Sequence, residues 1–198
     1  MVRKHISPLD AGSRLRRHPQ TQPQRQVILI VCEGQTEEAY FNAVKAFYRR
    51  SNTANIKIVR DRSDPVKIVE KGIRDSKNDD FDHVYCVIDG DKPERTTLAR
   101  KRIQKRKDID LVVSTPCFEL WLLLHFERCD APFAECVEVC ARLKVRLPDY
   151  VKGIQHDFSP ITPRIDAAIE NAKWLAGRNL TNPATDVHTV LNQIRPAP

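Results

Sequence analysis

The chain has 198 residues, 41% of them hydrophobic, and its 33 Lys/Arg against 26 Asp/Glu give a formal net charge of +7. That is the size of one domain with at most a small extension, and enough apolar residue to bury a core. No apolar run reaches the ~18 residues a membrane-spanning helix needs, and none follows Arg16-Arg17, so neither a membrane protein nor a secretory leader is expected and a cytoplasmic protein is.

Residues 1–26 read as a flexible basic arm, rich in Gln and Pro, with Arg3, Lys4, Arg14, Arg16, Arg17 and Arg25 set against one acid, Asp10. Such an arm either binds a substrate or partner or has no role. Val27–Cys32 is a short continuous apolar run, the pattern of a strand covered on both faces. It runs into Glu33-Gly34, and a helix is expected over Glu37–Arg50, with Thr36 as a cap and Tyr40, Phe41, Val44 and Phe47 at helical spacing. Ile56–Val59 reads as a second strand. Asp64-Pro65 is a cap followed by proline at the first helical position, opening a helix to about Lys77.

Val84–Ile88 is the third strand, and it ends in Asp89-Gly90-Asp91. Residues i and i+2 of an extended chain project to the same side, so the two carboxylates repel unless a cation lies between them. A hard divalent ion such as Mg²⁺ suits such oxygens. A solvated acidic turn is the alternative, since Asp and Gly are ordinary turn residues. Arg95–Lys107 is a basic helical segment, and Leu111–Val113 is the fourth strand. Ser114-Thr115-Pro116 repeats the cap-and-proline signal before an almost wholly apolar helix, Cys117–Phe126. Its one acid, Glu119, needs a partner. It either satisfies its own helix start or faces the site as a fourth acid. His125 reads as a packed or capping histidine.

The alternation of strands and helices predicts a mostly parallel four-stranded α/β sheet with flanking helices over residues 27–126. A helical extension is expected over 127–198, with helices near Phe133–Lys144, Arg164–Ala176 and Thr185–Ile194, and Asn182-Pro183-Ala184-Thr185 as a turn and helix start. Three acids, Glu33, Asp89 and Asp91, thus leave buried strands at their C-terminal ends, the edge where ligands bind in open parallel sheets. The cysteines read as packed small hydrophobes, because Cys129, Cys136 and Cys140 lack the paired spacing of a common zinc site. A glycine-rich phosphate loop ending in Gly-Lys is absent, so any ATP use falls to a partner.

A Glu after the first strand and an Asp-x-Asp after a later one resemble the Toprim domain of topoisomerases, primases and several nucleases. With Cys32–Glu37, the Pro116–Phe126 run and Asn182–Thr185, the chain more closely resembles the RloB family of bacterial defence proteins, similar to the second component of AbiL-type abortive-infection systems. The resemblance implies an Mg²⁺- (or Mn²⁺-) dependent nuclease acting on DNA or RNA beside an ATPase partner. Asp89 and Asp91 would hold metal, Glu119 or Glu37 would complete the shell, and Glu33 would ligate or act as acid or base. Lys152, in a Tyr-x-Lys element, would position a phosphate. Two rivals stand: a non-catalytic subunit that binds or gates an ATPase, and a toxin that cleaves tRNA. Arg100, Arg102, Lys105 and Arg106 are expected to contact nucleic acid without sequence preference, or to dock an acidic patch of the ATPase.

Overall fold

The computed structural model describes residues 25–49 and 54–196, so the expected N-terminal arm lies outside it except for its last two residues. The described residues hold five strands and seven helices. The strands are β1 (Gln26–Cys32), β2 (Ala54–Arg60), β3 (His83–Asp89), β4 (Ile109–Thr115) and β5 (Ala184–Thr185). The helices are α1 (Gln35–Phe47), α2 (Pro65–Asn78), α3 (Pro93–Ile103), α4 (Glu119–Leu124), α5 (Cys136–Lys144), α6 (Ile165–Ala176) and α7 (Val187–Ile194), with a 3-10 turn over Ser159–Arg164.

One sheet runs in the order β2-β1-β3-β4-β5, and only β5 is antiparallel. The sequence predicts four strands; the fifth was read as a turn and helix start. A two-residue strand carries no periodicity. Its place is set by the sheet edge it finds, with Ser114 paired to Thr185 and Thr115 to Ala184, and by a Ser114–Thr185 hydroxyl contact of 2.8 Å.

The central strands are apolar without alternation because each face of the sheet has its own cover. Ile28, Ile30 and Cys32 of β1, with Tyr85 and Val87 of β3, face α1 and the C-terminal helices. Leu29 and Val31, with Val84, Cys86 and Ile88, face α2 and α3. The chain leaves β1 through α1 towards one side of the sheet and leaves β3 through α3 towards the other. The point where these connections diverge lies between β1 and β3, the place where open α/β sheets form crevices at their strand ends.

Asp64 caps α2 as expected, accepting from Val66 N–H at 3.0 Å with proline following. Thr36 does not cap α1; Gly34 holds that position, and Thr36 is buried as the second residue of the helix, 3.3 Å from the Tyr150 hydroxyl. The helix expected from Cys117 begins at Glu119, with Phe118 at the cap position and its N–H donating to a carboxylate from β3.

Gly72 lets α2 lie directly on β3, since a Cβ there would stand 2.7 Å from Cys86 Sγ and 3.3 Å from Val84 Cγ1. Alanine gains about 1 kcal/mol of helix propensity, but overpacking of a core costs about 1–3 kcal/mol. Gly72→Ala is therefore expected to lower stability by up to about 2 kcal/mol, read as a lower urea midpoint at unchanged slope, and Cys86→Ala in the same chain to recover most of it. A midpoint at or above wild type for Gly72→Ala alone contradicts this packing.

A candidate acidic site at the strand ends

Glu33 follows β1 and Asp89 ends β3, and these strands are neighbours. The Glu33 N–H donates to the Val87 carbonyl at 3.1 Å, continuing the parallel ladder. The Asp89 N–H faces Glu33 Oε2 at 3.3 Å, so the two acids share the strand ends. Glu37, one turn into α1, folds back over Gly34, where a Cβ would collide with its carboxylate. Gly90 is fixed in the same way against the Thr115 side chain and the Ser114 carbonyl. Both glycines are close-approach positions.

Asp89 reaches two ways. Its Oδ1 accepts from the Phe118 N–H at 2.8 Å, and its Oδ2 accepts from Lys152 Nζ at 3.2 Å. The same ammonium donates to Glu119 Oε2 at 3.0 Å. Glu119 is fully buried, and its other oxygen accepts from the Tyr150 hydroxyl at 2.5 Å. Thr36 closes the chain of contacts from α1. Lys152 lies on the loop after α5, where Gly153 turns in the left-handed region at φ 84°. The His156 ring holds the loop by accepting from the Val151 N–H at 2.9 Å.

Burial moves the acids. Glu33 is pushed up to about 7 by burial and the Asp89 charge. Glu37 is pushed up to about 8 by burial, with Asp89 and Glu119 adding to it. Asp89 rises to about 6 through burial, opposed by the Lys152 ammonium. Burial pulls Lys152 down, but Asp89 and Glu119 outweigh it and raise its pKa. Two carboxylates, Asp89 and Glu119, thus hold the Lys152 ammonium directly, Glu37 feels its field, and Glu33 lies beside Asp89.

The structure brings Glu33, Glu37, Asp89, Glu119 and Lys152 to one crevice. Asp91 is exposed beyond Gly90, and it reaches the group only through its field on Glu33. The sequence expectation that Glu33, Asp89 and Asp91 close on one ion-sized point is corrected accordingly. Gly90 lets the chain leave the sheet after Asp89, and like charges part. Among the described residues, the three ligand atoms lying within 4.8 Å of one another belong to Cys117, Glu119 and Cys136, a group that could hold a metal ion. Cys117 and Cys136 are joined there as a disulfide, against the expectation of unpaired cysteines. That pairing joins positions 19 residues apart, and no spacing rule announced it.

A family model described as RloB-like protein matches residues 28–194. The chain belongs to the RloB-like family. No curated protein and no solved structure matches it. Of the residues that carry the likeness of this RloB-like chain, Glu33, Glu37, Glu119 and Lys152 line the crevice. His125 is packed, as expected: its Nδ1 is 3.0 Å from the Trp121 carbonyl and its Nε2 3.1 Å from the Tyr40 hydroxyl, and burial lowers its pKa to about 4. Tyr150 is the residue that sequence reading passed over. Its signal was a tyrosine two before the lysine, and its role shows only in three dimensions.

The basic helix divides. Arg106 is committed to Asp108 and to Ser76 Oγ at 3.1 Å, and Arg102 is 3.5 Å from Glu70. Arg100, Lys101 and Lys105 are exposed.

The raised acids set a pH dependence. The folded chain keeps a proton on Glu37 up to about pH 8, whereas an unfolded chain releases it near 4.5. Between those values the folded state binds more protons, so stability falls as pH rises. Glu37→Gln is expected to flatten the decline in melting temperature between pH 5 and 8 and to melt above wild type at pH 8. Parallel wild-type and variant curves contradict a buried, protonated Glu37.

Proposed function

We propose that this chain is a divalent-metal-dependent phosphodiesterase that cleaves DNA or RNA, working beside an ATPase in a bacterial defence system. The observation that carries the reading is the crevice between β1 and β3, where Asp89 and Glu119 share the Lys152 ammonium and the Asp89 charge raises the pKa of Glu33 and Glu37 beside it. Glu33 after one strand and Asp89 after its parallel neighbour follow the Toprim pattern. Glu33, Glu37, Asp89 and Glu119 offer the carboxylate oxygens that Mg²⁺ or Mn²⁺ takes, and they would have to draw closer to share one ion, since no three of their oxygens lie within 4.8 Å of one another.

A bound divalent cation would polarise the phosphate and lower the pKa of a bound water. The protein's own groups do the rest. Lys152 supplies an ammonium for a phosphate oxygen once it leaves one carboxylate. Glu33, with a pKa near 7, is matched to neutral pH for taking or giving a proton. Tyr150 fixes the orientation of Glu119. A cavity of about 550 Å³ is lined by Gln35, Glu38, Asn42, Arg60, His156 and Asp157, and none of the crevice acids is in its wall. Arg100, Lys101 and Lys105 provide exposed positive charge for phosphates.

One observation favours the non-catalytic rival. Lys152 already bridges Asp89 and Glu119, so the acids have a partner without metal. Cleavage decides between the two. Labelled single-stranded DNA, duplex DNA and tRNA incubated with Mg²⁺ or Mn²⁺, alone and with the ATPase encoded beside this chain, are expected to yield fragments. Asp89→Asn and Glu33→Gln should lower the rate by at least about 100-fold, the scale of a lost acid–base group. Cleavage that survives both substitutions or a chelator contradicts the reading.

A further inference from the structure

The Cys117–Cys136 disulfide joins the residue two before Glu119 to the first residue of α5. Its sulfur forms part of the crevice: Cys136 Sγ lies 3.1 Å from Lys152 Nζ and 3.3 Å from Glu119 Oε2. A third sulfur, Cys140 Sγ, is 3.9 Å from Cys136 Sγ. Nothing in the phosphodiesterase reading uses these sulfurs.

The two oxidation states treat Glu119 differently. In the disulfide, Cys136 carries no proton, so Glu119 Oε2 is left to the Lys152 ammonium, and the sulfur can only accept. In the dithiol, the Cys136 S–H becomes a donor within reach of the same Oε2. It then competes with Lys152 for that oxygen. Reduction also unfastens the start of α5 from the start of α4. The loop bearing Tyr150 and Lys152 follows α5, so its tether to Glu119 loosens at the same time.

We propose that Cys117 and Cys136 are a reversible oxidation site whose state sets how firmly Lys152 is held across Asp89 and Glu119. The reductant is a dithiol of the thioredoxin class. Two electrons and two protons pass from the dithiol to the cystine, the Cys117–Cys136 bond breaks, two thiols form, and the reductant becomes a disulfide. Cys140 offers an internal route. Burial pushes the Cys140 thiol up to about 11, so it reacts only on losing its proton: it then attacks Cys136 Sγ, a Cys136–Cys140 bond forms, and Cys117 leaves as a thiolate that takes up that proton, with no net change in oxidation. The inference rests on the acidic-crevice geometry and not on cleavage.

The test uses the full chain and reads Lys152 directly. Oxidised and dithiol-reduced protein are pulsed with an amine-reactive ester, and modification of Lys152 is measured by peptide mass spectrometry against Lys57 and Lys173 as controls. Reduction is expected to raise the Lys152 labelling rate several-fold and leave the control lysines unchanged. The Cys117→Ser/Cys136→Ser protein should label at the fast rate whether or not reductant is present, and Cys140→Ser should keep the wild-type response. A circular dichroism melt establishes that each variant is folded. Non-reducing digestion is expected to release linked peptides containing Cys117 and Cys136. Equal Lys152 labelling in oxidised and reduced wild type overturns the proposal. So does stoichiometric zinc in the purified protein, which would assign these sulfurs and Glu119 to a metal. Neither result depends on nuclease activity, so an inactive but redox-responsive chain would refute the phosphodiesterase reading alone.

Discussion

The crevice depends on one contact, the Lys152 ammonium set between Asp89 and Glu119. Burying carboxylates without a cation is costly, and each of them raises the next one's pKa. A single ammonium within hydrogen-bond reach of both permits Glu119 to sit at zero exposure. Side-chain hydrogen bonds extend that permission outwards, from Lys152 to Glu119, to Tyr150 and to Thr36. Helix, loop and strand ends are fixed together by charge as much as by apolar packing. Lys152 is itself 44% exposed on its side chain, so the strength of the bridge is screened by solvent and the contact can exchange partners.

Much of this architecture was visible in the chain. Continuous apolar runs at Val27–Cys32 and Val84–Ile88 could only be strands covered on both faces, and they are. Asp64-Pro65 opened its helix where the side chain and the ring dictate. Strand ends carrying Glu33 and Asp89 were readable because parallel sheets collect their functional groups there. The unreadable parts share a cause: they are decided by groups far apart in sequence. Thr36 was a plausible cap until Tyr150 supplied a buried partner. Cys117 lies two residues before the helix it was expected to open, and the Phe118 N–H after it bonds Asp89 across from β3. Ala184–Thr185 is too short to have a period, and Cys136 gave no sign that it would meet Cys117. Asp91 was misjudged for a local reason. The i and i+2 rule holds only while the chain stays extended, and at Gly90 it leaves the sheet.

The fold also explains why positive charge is placed as it is. α3 begins next to Asp91 and packs against α2, so its exposed Arg100 and Lys101, with Lys105 in the turn after it, lie on the face of the sheet opposite α1 and the C-terminal helices. Arg106 is tied into the turn before β4 and serves the fold. An extended nucleic acid could touch both the crevice and this helix only by crossing the sheet edge. A docking ATPase would meet the helix alone. The distribution keeps both roles open to separate mutation, which the charge count alone did not.

The central claim is that Asp89 at the end of β3 and Glu119 at the start of α4 form a cation site that Lys152 occupies with its own ammonium. Mn²⁺ binding followed by electron paramagnetic resonance at neutral pH tests it most directly. The account predicts saturable binding by the wild-type chain, its loss in Asp89→Asn, and tighter binding in Lys152→Met, where the competing ammonium is gone. Unchanged binding in Asp89→Asn, or loss of binding in a folded Lys152→Met, would contradict it.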